Sequence, residues 1–204
     1  HEEVRDYESK SDVYFEGSDQ TRGWFQSSLL TSVAMTGKSP YKKLVSHGFV
    51  LDGNGRKMAK SVGNVVDPKE MQLKYNSDVM RLWASVVTYA DDVQLGENVL
   101  KSCGEYYFKF RNTLKYLLGN MYGFDNLQCE MGEKELLALE RCELMYSRVK
   151  NNYSEMNFRK VFEELMAWVT EFSSQYLDVP TKSYLYEYDL HSPERQRCKY
   201  VMKF

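Results

Sequence analysis

Tyr14-Phe15-Glu16-Gly17-Ser18-Asp19-Gln20-Thr21-Arg22-Gly23-Trp24-Phe25 is the stretch whose reading decides the fold. Residues 13–15 are β-favouring and stop at Gly17, so they read as a short strand. Ser18 or Asp19 can cap the helix that follows, in which Phe25, Leu29 and Val33 recur at helical spacing. Gly37-Lys38-Ser39-Pro40 ends that helix. Residues 44–51 read as a second strand, with Asp52-Gly53-Asn54-Gly55 as the turn after it. Strand, helix and strand in this order predict a βαβ unit, hence two parallel strands of an α/β sheet.

Past the turn lies Gly55-Arg56-Lys57-Met58-Ala59-Lys60-Ser61-Val62-Gly63-Asn64, a glycine-flanked loop with two lysines. Lysine meets phosphate as a point charge, and glycine lets backbone come close to a ligand. A carboxylate cluster at a strand end suits hydroxyls or an amine. The plainer readings are an ordinary solvated loop at Lys57 and Lys60, and a helix cap with a dipole partner at Glu16, Asp19 and Gln20. Trp24 sits beside Phe25 in an apolar helix, where an aromatic is usually core.

The chain has 204 residues, enough for one domain or two small ones, and its 43% hydrophobic and 27% charged residues suit a globular protein. A formal net charge of -2 advertises no polyanion partner, so any nucleic-acid contact must come from a local basic face. Cys103, Cys129, Cys142 and Cys198 form no CxxC pair and no zinc-spaced cluster, which predicts reduced thiols and no zinc site. No apolar run is long enough to span a bilayer. The charged start, residues 1–12, carries neither a signal-peptide pattern nor an initiator methionine, and the chain is expected to be a piece of something longer.

After Asp67-Pro68 the pattern turns helical. Ser77 or Asp78 starts a helix with Val79, Leu82, Trp83, Val86 and Val87 as its apolar set. Residues 97–119 form a longer helix with a broad stripe from Val99 to Leu118 and with Lys101, Lys109, Arg111 and Lys115 on a basic face that reads as solvated. Residues 119–132 are a connection. Residues 134–153 and 157–176 are two more amphipathic helices, the second capped by Asn157. Pro180 should end the regular pattern, with the start of another helix after residue 184.

These pieces resemble the second half of the catalytic domain of the class I aminoacyl-tRNA synthetases, in their isoleucine branch of bacterial or organellar type. Lys57-Met58-Ala59-Lys60-Ser61 is similar to that class's Lys-Met-Ser-Lys-Ser signature, with Ala59 in place of the central serine. The stretch from Glu16 to Leu30 is similar to the isoleucine rather than the valine or leucine branch. The similarity continues through His47-Gly48-Phe49, Asn64-Val65-Val66-Asp67-Pro68, Arg81-Leu82-Trp83 and Arg111-Asn112-Thr113-Leu114 to Ser192-Pro193-Glu194-Arg195.

The resemblance implies an α/β plus all-α protein. Residues 1–67 would be the C-terminal half of a Rossmann-like domain, 68–92 a linking helical region, and 93–204 a partial helical-bundle anticodon-binding domain. It implies catalytic roles for Lys57 and Lys60 at the α-phosphate of ATP. Glu16 and Gln20 would lie by the amino-acid end of the adenylate, Asp19 by the ribose, His47 and Gly48 near the adenine, and Trp24 at the wall of the isoleucine pocket. ATP with Mg2+, isoleucine and isoleucine tRNA are the implied substrates and partners, in the cytoplasm or an organellar matrix. The family's His-Ile-Gly-His motif does not occur in the sequence. The isolated chain is therefore expected to be inactive, and a partner carrying the first half of the fold is one possibility. Rival readings are a non-catalytic tRNA-binding relative and one half of a split enzyme.

Overall fold

The computed structural model describes residues 10–124 and 130–204, and Cys129 lies outside them. The chain forms two compact units. The first takes residues 1–70 and 87–99; the second takes residues 71–86 and 100–204.

The βαβ unit is present in the first. Strand β1 (Ser11–Gly17) leads through a tight 3₁₀ turn (Ser18–Arg22) into helix α1 (Trp24–Thr36), and strand β2 (Tyr41–His47) returns beside β1. The two strands are parallel, with Tyr14 opposite Leu44, Phe15 opposite Val45 and Gly17 opposite His47. The right-handed crossover rule expects this of a strand–helix–strand chain. Phe25 and Val45 are buried here, whereas Val33 stays 47% exposed, so the inward stripe expected along α1 holds only at its start.

Two local expectations are corrected. Neither Ser18 nor Asp19 caps α1: both are used up in the 3₁₀ turn, and Gln20 Oε1 accepts from the Trp24 amide at 3.0 Å instead. The second strand also does not run on to Leu51. It stops at His47, and the chain forms a separate pair, β3 (Val50–Leu51) parallel to β4 (Val93–Gln94). The break falls at Gly48, whose amide donates to Tyr89 O at 2.9 Å. A Cβ there would overlap the Asp91 carbonyl and the Asp92 amide nitrogen, so only glycine lets residues 89–92 lie this close. The strand β4 is two residues long, too short to give an alternating signal in the sequence.

Helix α2 (Pro68–Tyr75) leads into α3 (Ser77–Val86) through Asn76, whose Oδ1 accepts from the amides of Asp78 and Val79. Helix α4 (Glu97–Gly119) has the bounds the sequence predicts and buries Leu100 and Cys103, but Leu114 and Leu118 near its end are exposed. Helix α5 (Glu133–Ser154) and helix α6 (Phe158–Phe172) pack on each other, and α3 packs on α6. Asn157 caps α6 as expected, its side chain accepting from the Lys160 amide, and Val161, Val169 and Phe172 are buried.

Pro180 does not end the helical course. Residues Ser173–Thr181 continue α6 in wider π-type turns and pass directly into α7 (Lys182–Tyr186). A proline has no amide hydrogen to give to an α-helical bond, and the wider turn tolerates that. Thr181 Oγ1 donates instead to Tyr176 O, five residues back, at 2.9 Å. Helix α8 (Pro193–Lys203) follows with Ser192 as its cap and Pro193 in its first turn. Ala138, Phe172, Tyr176, Leu177, Leu185, Cys198, Val201 and Met202 form the core of this unit.

Candidate functional site

The parallel strands β1 and β2 end side by side, Glu16 opposite Ser46 and Gly17 opposite His47. In open α/β sheets this carboxyl end is where ligands bind. Gly17 is buried between its neighbours: a Cβ on it would lie 2.6 Å from Asp19 Oδ1 and 3.6 Å from His47 Cε1. Of the sequence-predicted residues, Asp19 and His47 therefore meet at one glycine, with Glu16 next to it in β1 and Gln20 bonded to Asp19. Glu16 and Asp19 are exposed. Gln20 is committed at both ends, donating from Nε2 to Asp19 Oδ2 at 3.2 Å while its Oε1 caps α1. It thus holds the Asp19 carboxylate against the helix start.

His47 Nδ1 lies 2.8 Å from Gly48 O. A carbonyl only accepts, so this nitrogen carries the hydrogen. The ring leans on Phe15 at 5.0 Å between centroids. Gly48 spends its missing side chain on the chain's own residues 91 and 92. Trp24 is not core: it is 54% exposed while the adjacent Phe25 is 4% exposed. Its indole lies near-parallel to the Tyr14 ring at 6.2 Å, and Tyr14 in turn meets Tyr41 at 4.8 Å. An exposed indole plane braced from behind is a surface that can wall an apolar ligand.

Lys57 and Lys60 are held differently. Leu51 and Lys57 make an antiparallel bridge, and Lys60–Val62 form a 3₁₀ turn that ends at Gly63 with φ 72°. Both lysines are exposed. The Lys57 ammonium stands 4.8 Å over the Phe49 ring, a cation–π contact worth about 0.5–1 kcal/mol at an exposed site.

Asp52 and Asn64 organise this loop, and the sequence reading missed their part. Asp52 Oδ1 accepts from the Asn54 amide at 2.9 Å and the Arg56 amide at 2.8 Å. Its Oδ2 accepts from Asn64 Nδ2 at 3.0 Å and Arg56 Nε at 3.3 Å. Asn64 Nδ2 also donates to Lys57 O at 3.1 Å, and its Oδ1 accepts from the Ala59 amide at 2.9 Å. The Asn64 hydrogen bond, and after it the Arg56 amide, pull the Asp52 carboxyl down to about 2. The Asp-Gly-Asn-Gly turn signalled Asp52 as a turn residue, but nothing in the spacing signalled a partner at Asn64.

The first 96 residues match the model of class I tRNA synthetases (I, L, M and V). The chain belongs to the class I aminoacyl-tRNA synthetases. Within them it is similar to isoleucine–tRNA ligases along most of its length. It is 46% identical over 89% of the chain to that of Geobacillus thermodenitrificans, which it covers for 20% of its length. It is 44% identical over 94% of the chain to that of Prochlorococcus marinus MIT 9515, which it covers for 21%. The chain thus spans about a fifth of the relatives it matches.

The fold agrees. The Agrobacterium radiobacter LeuRS–tRNA–LeuAMS ternary complex matches 93% of the chain with TM-score 0.74 at 16% identity, over 24% of its own length. Mycobacterium tuberculosis methionyl-tRNA synthetase with methionyl-adenylate matches 94% with TM-score 0.71 at 18% identity, over 38% of its own length. No helix among the described residues is long and apolar enough to cross a membrane.

Proposed function

We propose that this chain is the adenylate-forming half-site and part of the tRNA-docking region of an isoleucine–tRNA ligase. In the proposed reaction an isoleucine carboxylate oxygen attacks the α-phosphorus of ATP. The bond to the bridging oxygen breaks and pyrophosphate leaves with its electron pair. A ribose hydroxyl at the end of isoleucine tRNA then attacks the acyl carbon, and AMP leaves. Residues 1–67 would supply the C-terminal half of the catalytic fold, 68–92 the link, and 93–204 the helical anticodon-binding part.

The observation that carries this reading is the pair of exposed ammonium groups, Lys57 and Lys60, on a loop whose two ends are tied together. An ammonium that meets charge developing on the α-phosphate lowers the barrier rather than only tightening binding. The Asp19 carboxylate, braced by Gln20, suits the paired ribose hydroxyls, and Glu16 suits the isoleucine ammonium. His47 would stand at the adenine edge; Gly48 shapes that edge by admitting residues 91 and 92. Trp24 offers its face to the isoleucine side chain. Such an apolar pocket discriminates one methylene by only about 1–3 kcal/mol. Magnesium would come with the nucleotide, held by its phosphates.

Single-turnover adenylate formation by the full-length enzyme that carries this sequence tests the reading. Lys60→Ala is expected to slow that step by roughly 10²–10³-fold while tRNA affinity stays within about twofold of the parent. Lys57→Ala should act similarly with a larger rise in the ATP KM, and Ala59→Ser should be close to silent. An unchanged chemical step in Lys60→Ala would make the loop an ordinary solvated turn.

A further inference from the structure

We propose that Asp52 and Asn64 act as a clasp that positions Lys57 and Lys60 for adenylate formation, which deepens, and rests on, the reaction proposed above. An Asx turn needs only one oxygen of Asp52, and Oδ1 supplies it through the amides of Asn54 and Arg56. The second oxygen accepts from the Arg56 side chain and, at the shorter distance of 3.0 Å, from Asn64, twelve residues along the chain. That bond closes the loop of residues 53–63 at its base.

Asn64 then reaches into the loop. It takes the Ala59 amide, one residue before Lys60, and the carbonyl of Lys57 itself. One amide side chain therefore holds the loop backbone at Lys57 and at the residue before Lys60, and that side chain is oriented by one buried carboxylate, 6% exposed. Both lysine side chains remain exposed, Lys57 resting over the Phe49 ring, while the backbone that carries them is tied to Asn64. Only a side chain that both donates and accepts can make these contacts, and only an acceptor at residue 52 completes them. The pair accordingly acts through the lysines, without meeting the phosphates.

Two experiments separate this proposal from the reading on which it rests. In the 204-residue chain, Asn64→Ala should speed tryptic cleavage after Arg56, Lys57 and Lys60 by at least about tenfold, because local opening of the loop limits cleavage. Unchanged cleavage overturns the clasp whatever the chain's function.

In the full-length enzyme, Asn64→Ala and the near-isosteric Asp52→Asn should each slow single-turnover adenylate formation by about 10–100-fold, as a displacement near 1 Å does. The isoleucine KM and transfer from preformed adenylate to tRNA should not move; a general loss of structure would change both. The swap Asp52→Asn with Asn64→Asp restores a donor–acceptor pair between the two positions and should recover part of the rate. Normal adenylate formation in both single variants, with Lys60→Ala slow, overturns the clasp and leaves the reaction standing. A normal rate in Lys60→Ala removes the reaction and with it the positioning role.

Discussion

At the scale of residues, the first unit is built on groups with two jobs. Gln20 caps a helix and holds a carboxylate; Asn64 accepts at one end and donates at the other. Gly48 tests how tightly this is drawn. Its added methyl would meet backbone of residues 91 and 92, which has no rotamer to change. Gly48→Ala should therefore cost about 1–3 kcal/mol or more, as overpacking does, and lower the urea midpoint. Gly104, inside α4 with nothing within 4 Å of a Cβ, supplies the contrast. Gly104→Ala should raise the midpoint by the equivalent of roughly 0.5–1 kcal/mol. Asp52 carries a pH signature as well. Its carboxyl is depressed to about 2 in the folded chain, against roughly 3.9 unfolded. The stability it contributes is complete above about pH 4 and disappears as pH falls toward 2. The difference in melting temperature between the parent chain and Asp52→Asn should narrow across that window; a constant difference would contradict the ionic origin.

At the scale of elements, the helices of the second unit follow their local signals closely. Helix α8 has its Ser192 hydroxyl oxygen accepting from the Arg195 amide at 3.3 Å, with Pro193 behind it. Ser192→Ala should lower stability by about 1 kcal/mol, read as a fall in the thermal midpoint of the chain, while Ser192→Asp should retain it. Helix α6 agrees with its 3.6-residue apolar pattern, burying Val161, Val169 and Phe172, whereas α4 buries its stripe only near its start. The passage through Pro180 does not follow its local signal. A proline forbids one α-helical hydrogen bond but not a wider turn, and Leu177 and Leu185 on either side of it belong to the same core cluster. Burying both outweighs a preference that acts on a single amide. The same holds for the stop of β2 at His47, where the chain's contact with residues 89–92 overrides a β-favouring run.

At the scale of the whole molecule, the chain covers about a fifth of its relatives, and among the described residues its first unit has two pairs of strands. Parallel strands are ordinarily covered on both faces and joined by more neighbours. Here Val13, Phe15 and Leu44 stay between 39% and 53% exposed. The 204 residues also contain no His-Ile-Gly-His sequence. The isolated chain should therefore show no isoleucine-dependent ATP–pyrophosphate exchange; clear exchange by the purified chain would mean that these residues build a nucleotide site of their own. Family, βαβ order, the bounds of α4 and α5 and the lysine loop were legible in the sequence alone. Each rests on local rules: period, cap, turn residue and a run of adjacent side chains. The exposure of Trp24, the pairing of β3 with β4, the glycine at 48 and the Asp52–Asn64 clasp were decided only by tertiary structure. Each depends on groups far apart in the chain meeting in space, and one sequence read by its neighbours carries no record of those meetings.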